Sequence, residues 1–333
     1  MTREFTLQPA VKEEVPLFVG LVGPSSSGKT YSALRLANGI HQVMQRPGGI
    51  IVIDTENRRA LHYSEDFKFQ HIPFGAPYGS LDYLAAIRFA QEHNPSAIVI
   101  DSMSHEHEGP GGLLDAHEKE LDRMAGDNQS NRYAMGFTAW AKPKAQRRQF
   151  LTGLLESDAA VIACFRAQEK TKLIKNNKGK QEPVNIGWQA IADPKFVYEM
   201  AVCALLKPGA NGVPDWNPDM PDERTFVKVP GWARDIFTQG QQLTEQHGVA
   251  LAEWAKGGAQ RPKAENSDFE ALKEEGAHAA ALGMSFLAAF WKRQTPQIQK
   301  QLEDIKNNEW KPMAEKADAK LDEPEDEMAG VEL

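Results

Sequence analysis

Eight consecutive residues, Gly23-Pro24-Ser25-Ser26-Ser27-Gly28-Lys29-Thr30, satisfy the pattern G-x-x-x-x-G-K-[ST] at every fixed position. The chemistry such a run performs is the holding of phosphate. Its glycines let the backbone come close, and successive N–H groups then point inward at the oxygens. Lys29 would reach the β- and γ-phosphates, and the Thr30 hydroxyl would ligate Mg²⁺. The candidate contacts of a nucleoside triphosphate are therefore Gly23, Pro24, Ser25, Ser26, Ser27, Gly28, Lys29 and Thr30, with Tyr31 following them. A hydrolase of this kind also needs a carboxylate beside the metal and a group that orients the attacking water. Asp101 closes the apolar run Ala97–Ile100 and is placed like a Walker B aspartate, holding the metal through water. The plainer reading of Asp101 is a strand-end aspartate that caps the next turn. Asp54 and Glu56 end another apolar run, Ile50–Ile53, and are competing carboxylates.

Two further groups of residues carry chemical potential. His105-Glu106-His107-Glu108 invites a metal reading, but it lacks the H-E-x-x-H spacing of a helical zinc site and reads as a solvated loop beyond Asp101. Basic residues crowd the segment after Phe165: Arg166, Lys170, Lys172, Lys175, Lys178 and Lys180, with Glu169 opposing them. Lys142, Lys144, Arg147 and Arg148 form an earlier cluster. A positive loop at the carboxyl edge of a sheet could follow a phosphate backbone with salt-sensitive affinity. Lysine-rich turns are also common on solvated surfaces. Aromatic residues are sparse in the later cluster, so base stacking would have to come from elsewhere.

The elements that must position these groups are legible as alternating short apolar runs and helical stretches. Leu17–Val22 is a first buried strand, and the glycine-rich loop then leads into a helix over Tyr31–Gln45 with an apolar face at helical spacing. Ile50–Ile53, Ala97–Ile100 and Ala159–Phe165 are continuously apolar, the pattern of parallel strands buried on both faces. Ser80 is expected to cap a helix running to about Glu92, and further helices are expected over Gly112–Ala125 and up to Leu155. Asn176-Asn177-Lys178-Gly179 signals a hairpin turn, and Val197–Leu206 and Thr225–Val229 are expected to be the last strands. Such alternation indicates an α/β fold, a mostly parallel central sheet flanked by helices.

A change of composition at residues 257–267 reads as a linker between a core, 17–256, and a small helical extension, 268–317. In the extension, Phe269–Arg293 precedes a second helix opened by Thr295-Pro296. Residues 1–16 read as a loose lead-in. The stretch 318–333 has seven acidic residues and one lysine, a composition expected to be disordered.

At 333 residues and a net charge of −8, the chain exceeds one average domain and has no global electrostatic pull towards nucleic acid. Its two cysteines, Cys164 and Cys203, lie in apolar runs, which points to buried free thiols rather than a disulfide framework. The start lacks the apolar stretch of a signal peptide, and no run has the length of a membrane span. A cytoplasmic protein without membrane partners is expected.

Ile-Val-Ile-Asp-Thr-Glu, at its distance from the glycine-rich loop, is similar to the RecA-type ATPases. That resemblance makes Glu56 the residue that polarises the attacking water and Asp101 the metal-side carboxylate. It places the γ-phosphate sensor at the end of Val161–Phe165, where Arg166 or Gln168 stands instead of the family's usual glutamine. Together with Val-Ile-Asp-Ser-Met-Ser-His and Ala-Cys-Phe-Arg-Ala-Gln-Glu-Lys, these motifs resemble the phage and prophage nucleotide-binding AAA-family ATPases over roughly residues 15–240. The resemblance implies a RecA-like core, ATP and Mg²⁺, ATP hydrolysis, and action on single-stranded DNA in annealing or recombination inside a bacterial host cell. It further implies self-association into a ring or filament, with Arg58, Arg59 and Arg166 as candidates for a finger supplied to a neighbour. The acidic tail could recruit a replication or recombination protein. A nucleotide or small-molecule kinase, and a nucleotide-dependent switch or loader with negligible turnover, are the alternatives.

Overall fold

Five apolar runs pair side by side as parallel strands because each is buried on both faces and can be satisfied only inside a sheet. The computed structural model describes residues 14–126, 128–175, 179–257 and 265–321. In chain order its elements begin β1 (Phe18–Gly23), α1 (Lys29–Met44), β2 (Ile50–Asp54), β3 (Gln70–Pro73), α2 (Ser80–Gln91), β4 (Ala97–Asp101), α3 (Ser104–Glu108) and α4 (Leu113–Ala125). They continue with α5 (Gln129–Met135), α6 (Ala141–Leu155), β5 (Ala160–Lys175), β6 (Gln181–Ala190), α7 (Phe196–Glu199), β7 (Val202–Leu205) and α8 (Glu245–Ala255). The last four are α9 (Glu265–Ala281), α10 (Met284–Arg293), α11 (Pro296–Ile305) and α12 (Lys311–Leu321).

The sheet order is β3-β2-β4-β5-β1-β7, and β6 joins β5 as the antiparallel member. This is the expected RecA-like α/β P-loop fold: β5 lies between the strand that feeds the glycine-rich loop and the strand that ends in Asp101. Register brings Asp54, Asp101 and Cys164 level at the carboxyl edge. Two apolar clusters cover the two faces, one built on α1 and α8 and the other on Tyr83, Ile87, Phe150 and Phe165. Helices α1 and α8 touch through bare backbone. A Cβ on Gly39 would lie 1.9 Å from the Glu245 carbonyl oxygen, so only glycine permits this approach. Arg35 then reaches Glu245 at 2.8 Å across the same seam.

Several local expectations are corrected. Ser80 is the first residue of α2 rather than its cap, which is Gly79. The strand expected over Val197–Leu206 is cut to Val202–Leu205, because Phe196–Glu199 coils into α7 and buries Phe196. Thr225–Val229 is not a strand: Glu223–Phe226 forms a 3₁₀ turn, and Lys228 makes a single bridge to Cys203. The stretch Phe269–Arg293 breaks at Leu282-Gly283, where Gly283 takes φ +113 and Asp318 accepts from the Met284 N–H at 3.0 Å. Strand β3 has no long apolar run to announce it, being a four-residue edge strand with partly exposed side chains.

The chain divides into two compact units, Met1–Ala259 and Gln260–Leu333. Most of the expected linker, the lead-in 1–13, the turn residues Asn176–Lys178 and the acidic stretch 322–333 lie outside the described residues. Asp318–Leu321, the first part of that acidic stretch, is the helical end of α12. The second unit has its own core, Ala280, Leu287, Phe290, Leu302, Trp310 and Ala314. Among the described residues no helix is long and apolar enough to cross a membrane.

Candidate functional site

The loop from β1 to α1 wraps the start of the helix, and this follows from two unusual backbone positions. Gly28 has φ +95, and a Cβ there would lie 2.5 Å from the Gly212 amide nitrogen; Ser26 also takes a positive φ of 63. Helix α1 opens at Lys29 with no side chain capping it, so its first N–H groups and the positive end of its dipole are left for an anion. Lys29 folds back over the loop and donates from Nζ to the Pro24 carbonyl at 2.6 Å. Burial is the main influence on its ammonium and lowers its pKa, against the acidic groups of Cys164, Asp101 and Glu56.

Thr30 donates from Oγ1 to Asp101 Oδ2 at 2.6 Å, which joins the loop helix to the end of β4. Asp101 is almost fully buried, and that burial raises its pKa despite the Thr30 hydrogen bond. A hydroxyl and a carboxylate side by side are the hard oxygen donors that Mg²⁺ prefers. Thr30 and Asp101 would therefore hold the ion, whose charge would neutralise the phosphates.

Glu56 lies just past β2, and its carboxylate is gripped by Arg166. Arg166 Nε donates to Oε1 and Nη2 to Oε2, each at 2.6 Å, a bidentate fork, and Arg59 adds a longer contact at 3.4 Å. Burial pushes the Glu56 carboxyl up, but the Arg166 hydrogen bonds and the charges of Arg166, His105 and Arg59 outweigh it and leave the pKa lowered. Asp54 has a different task. It accepts from the Glu56 N–H at 2.7 Å and the Ala60 N–H at 3.1 Å, with His71 Nε2 also 3.1 Å away, so it shapes the turn that presents Glu56.

Lys29, Thr30, Glu56, Asp101 and Arg166 line one cavity of about 480 Å³ where β1, β2 and β4 end and β5 passes on beyond the sheet. Its walls include Ser25, Ser26, Gly28, Lys29, Thr30, Glu56, Asp101 and Arg166, with Arg59, His62, Tyr63, Ala167 and Ile191. Open parallel sheets place ligands at this edge. Tyr31 is turned to one side, its ring packed on Tyr63 and Phe67 at 5.6 and 5.2 Å. Of the two sensor candidates, Arg166 lines the cavity, while Gln168 sits two residues on, exposed and paired with Gln189 of β6.

The segment after Asp101 corrects the expectation of a solvated loop. Ser104–Glu108 is a helical turn, and Glu106 is fully buried, accepting from Ser80 Oγ at 2.6 Å with Arg147 Nη2 at 3.6 Å. His105 Nδ1 lies 2.7 Å from Thr55 Oγ1, and its ring stacks on Tyr78. Thr55 Oγ1 also accepts from the Ser102 N–H at 2.8 Å, and Ser104 Oγ accepts from the Arg166 N–H at 2.8 Å. These residues position Glu56 and Arg166 from behind, and an isolated Ser or Thr in sequence carries no mark of that role. His62 and Tyr63 were likewise missed, because only the 3₁₀ turn Arg59–Tyr63 brings them to the cavity.

Beyond Ala167, β5 leaves the sheet and continues with β6 as a two-stranded ribbon. Lys170, Lys172 and Lys175 are exposed on it and Lys180 is exposed near its turn; Lys178 lies outside the described residues. The earlier basic cluster separates. Arg147 is buried between Glu106 and Asp193, whereas Lys142, Lys144 and Arg148 are exposed.

Residues 16–195 match the AAA domain family AAA_24, and the chain belongs to that family. It is a nucleotide-binding P-loop NTPase, and the cavity described above opens beside Gly28–Thr30. Among solved structures, the KaiC-like protein of the hyperthermophilic archaeon Pyrococcus horikoshii OT3 is similar at 15% identity and a TM-score of 0.24, over 54% of this chain and 97% of that one. A comparison with the curated proteins returns no match.

Proposed function

We propose that this chain is an ATPase of the type used in phage recombination or single-strand annealing, binding single-stranded DNA and working as an oligomer. The observation that carries the proposal is the continuity of β5. One strand runs from the middle of the sheet, past Arg166 on the Glu56 carboxylate, into the exposed ribbon bearing Lys170, Lys172 and Lys175. In this reading a change at Arg166 passes along β5, through the register shift at Lys170–Thr171, to a cationic arm.

In this reading Lys29 and the first amides of α1 bind and orient the triphosphate, with Thr30 and Asp101 at the metal. Glu56 is the base that would orient water, and both of its carboxylate oxygens accept from Arg166. A γ-phosphate carries the same kind of oxygens and competes for the same guanidinium, which frees the carboxylate when triphosphate is present. The same pairing favours a second reading, a nucleotide-dependent switch with slow turnover, if Arg166 stays on Glu56 after ATP binds.

Steady-state ATP turnover with and without single-stranded DNA tests the proposal. Stimulation by DNA supports it. Phosphate transfer to a nucleoside monophosphate overturns it in favour of a kinase, and nucleotide binding without hydrolysis leaves the switch.

A further inference from the structure

The two most exposed large apolar side chains among the described residues belong to one short stretch: Tyr133 is 95% exposed and Phe137 88%. Beyond α5 the right-handed backbone runs through Gly136 and Phe137 into a 3₁₀ turn, Thr138–Trp140, and then into α6. Residues 133, 137, 140 and 144 are spaced by four, three and four, so they fall on one side of that helical path. The stripe reads Tyr, Phe, Trp, Lys. Trp140 is anchored from behind by His117, whose ring stacks on it at 4.0 Å and whose Nε2 lies 2.9 Å from the Gly136 carbonyl oxygen. Lys144 Nζ stands 5.9 Å from the Phe137 ring centre and 5.5 Å from that of Trp140.

The charges around the stripe are sorted. Glu118 and Asp122 are taken by Arg132, and Glu120 by Arg123 and Lys142. Among the described residues neither Lys144 nor Arg148, four residues further along the same side, is paired with a carboxylate. The side chains flanking the rings, Ser130, Asn131, Ala134 and Thr138, are small or polar, so the feature is a narrow row of rings edged by cations and not a broad apolar face. Helix α6 enters β5 at its amino end, so its own amino end, carrying Lys144, lies about 22 Å away towards the carboxyl edge that holds the nucleotide cavity.

We propose that Tyr133, Phe137 and Trp140 form a stacking platform for successive bases of a single nucleic-acid strand, whose phosphates run along Lys144 and Arg148. Aromatic faces one helical turn apart with cations alongside are the means by which single strands are held without sequence readout. The inference rests on the single-strand reading above and names a binding surface distinct from the lysine ribbon. It supplies the stacking residues that the ribbon lacks.

The test is a fluorescence-anisotropy titration of full-length protein, with an ATP analogue present, against labelled oligo-dT and oligo-U of about 30 nucleotides, long enough for several stacked bases. The Y133A/F137A double variant alters only exposed side chains. It is expected to weaken oligo-dT binding by about ten-fold or more while nucleotide binding and the salt slope stay unchanged, since no cation is removed. Phe137→Trp is expected to keep the affinity. Wild-type affinity in the double variant overturns the platform and leaves the single-strand reading standing. Loss of self-association in sedimentation velocity with oligonucleotide affinity retained assigns the stripe to a protein interface and also overturns it. A wild-type chain that binds neither oligo-dT nor oligo-U sinks both readings. Preference for oligo-U over oligo-dT keeps the platform and changes the strand to RNA.

Discussion

Arg166 and Glu56 meet through two 2.6 Å hydrogen bonds, and that contact sets what substitution in the cavity should do. Lys29→Ala removes the buried ammonium that the loop folds around; a fluorescent-nucleotide titration should show binding abolished, or turnover abolished if binding survives. Glu56→Gln keeps the size of the side chain but removes the carboxylate proposed as the base. ATP binding should persist while hydrolysis slows by roughly 10²-fold or more, the scale of general-base catalysis. If Asp101→Asn alone blocks the chemical step and Glu56→Gln does not, the assignment of Glu56 as base is wrong. Arg166→Ala acts through pKa. Burial alone pushes the Glu56 carboxyl up, and Arg166 is the main group holding it down. Without the arginine the carboxylate protonates at higher pH, so the acid limb of the kcat/KM profile should move upward in pH. An unmoved limb would separate Glu56 from the titration that limits the free enzyme.

Among the elements, the two halves of β5 face different surroundings. Ala160–Phe165 is wholly buried between β1 and β4, while Gln168–Lys175 is exposed with only β6 beside it. Replacing Lys170, Lys172 and Lys175 together by Ala should reduce the salt slope of single-stranded DNA binding by about two, given roughly 0.7 per neutralised phosphate on a single strand. The sheet is untouched by these changes, so nucleotide binding should not move. An unchanged slope would take the ribbon out of the DNA footprint.

At the scale of the molecule, the two compact units have separate cores. In the second, Trp310 is buried at a π-type turn, its ring edge-on to Phe290 at 5.7 Å and occupying the space a Cβ on Gly276 would need. Trp310→Ala should cost that unit about 3–5 kcal/mol. Calorimetry should show the helical unit's transition lowered or lost while nucleotide binding by the first unit stays intact. A fall in nucleotide affinity would show that the two units are coupled.

The glycine-rich loop, four of the buried parallel strands and the place of Asp101 at a strand end were legible in the amino-acid order, because each rests on local chemistry: spacing, continuous apolar runs and strand ends. The glycine-rich pattern needs no partner to be read. What the order of residues left open were matters of burial and long-range pairing. Glu106 sits in a string of charged and histidine residues that looks solvated, and only packing against Ser80 and Arg147 makes it a core residue. Asp54 and Glu56 are two residues apart, and only the fold gives one to backbone amides and the other to Arg166, 110 residues away. A strand end marks where a carboxylate stands, but the cation that restrains it arrives from another strand, and that pairing exists only once the sheet has formed.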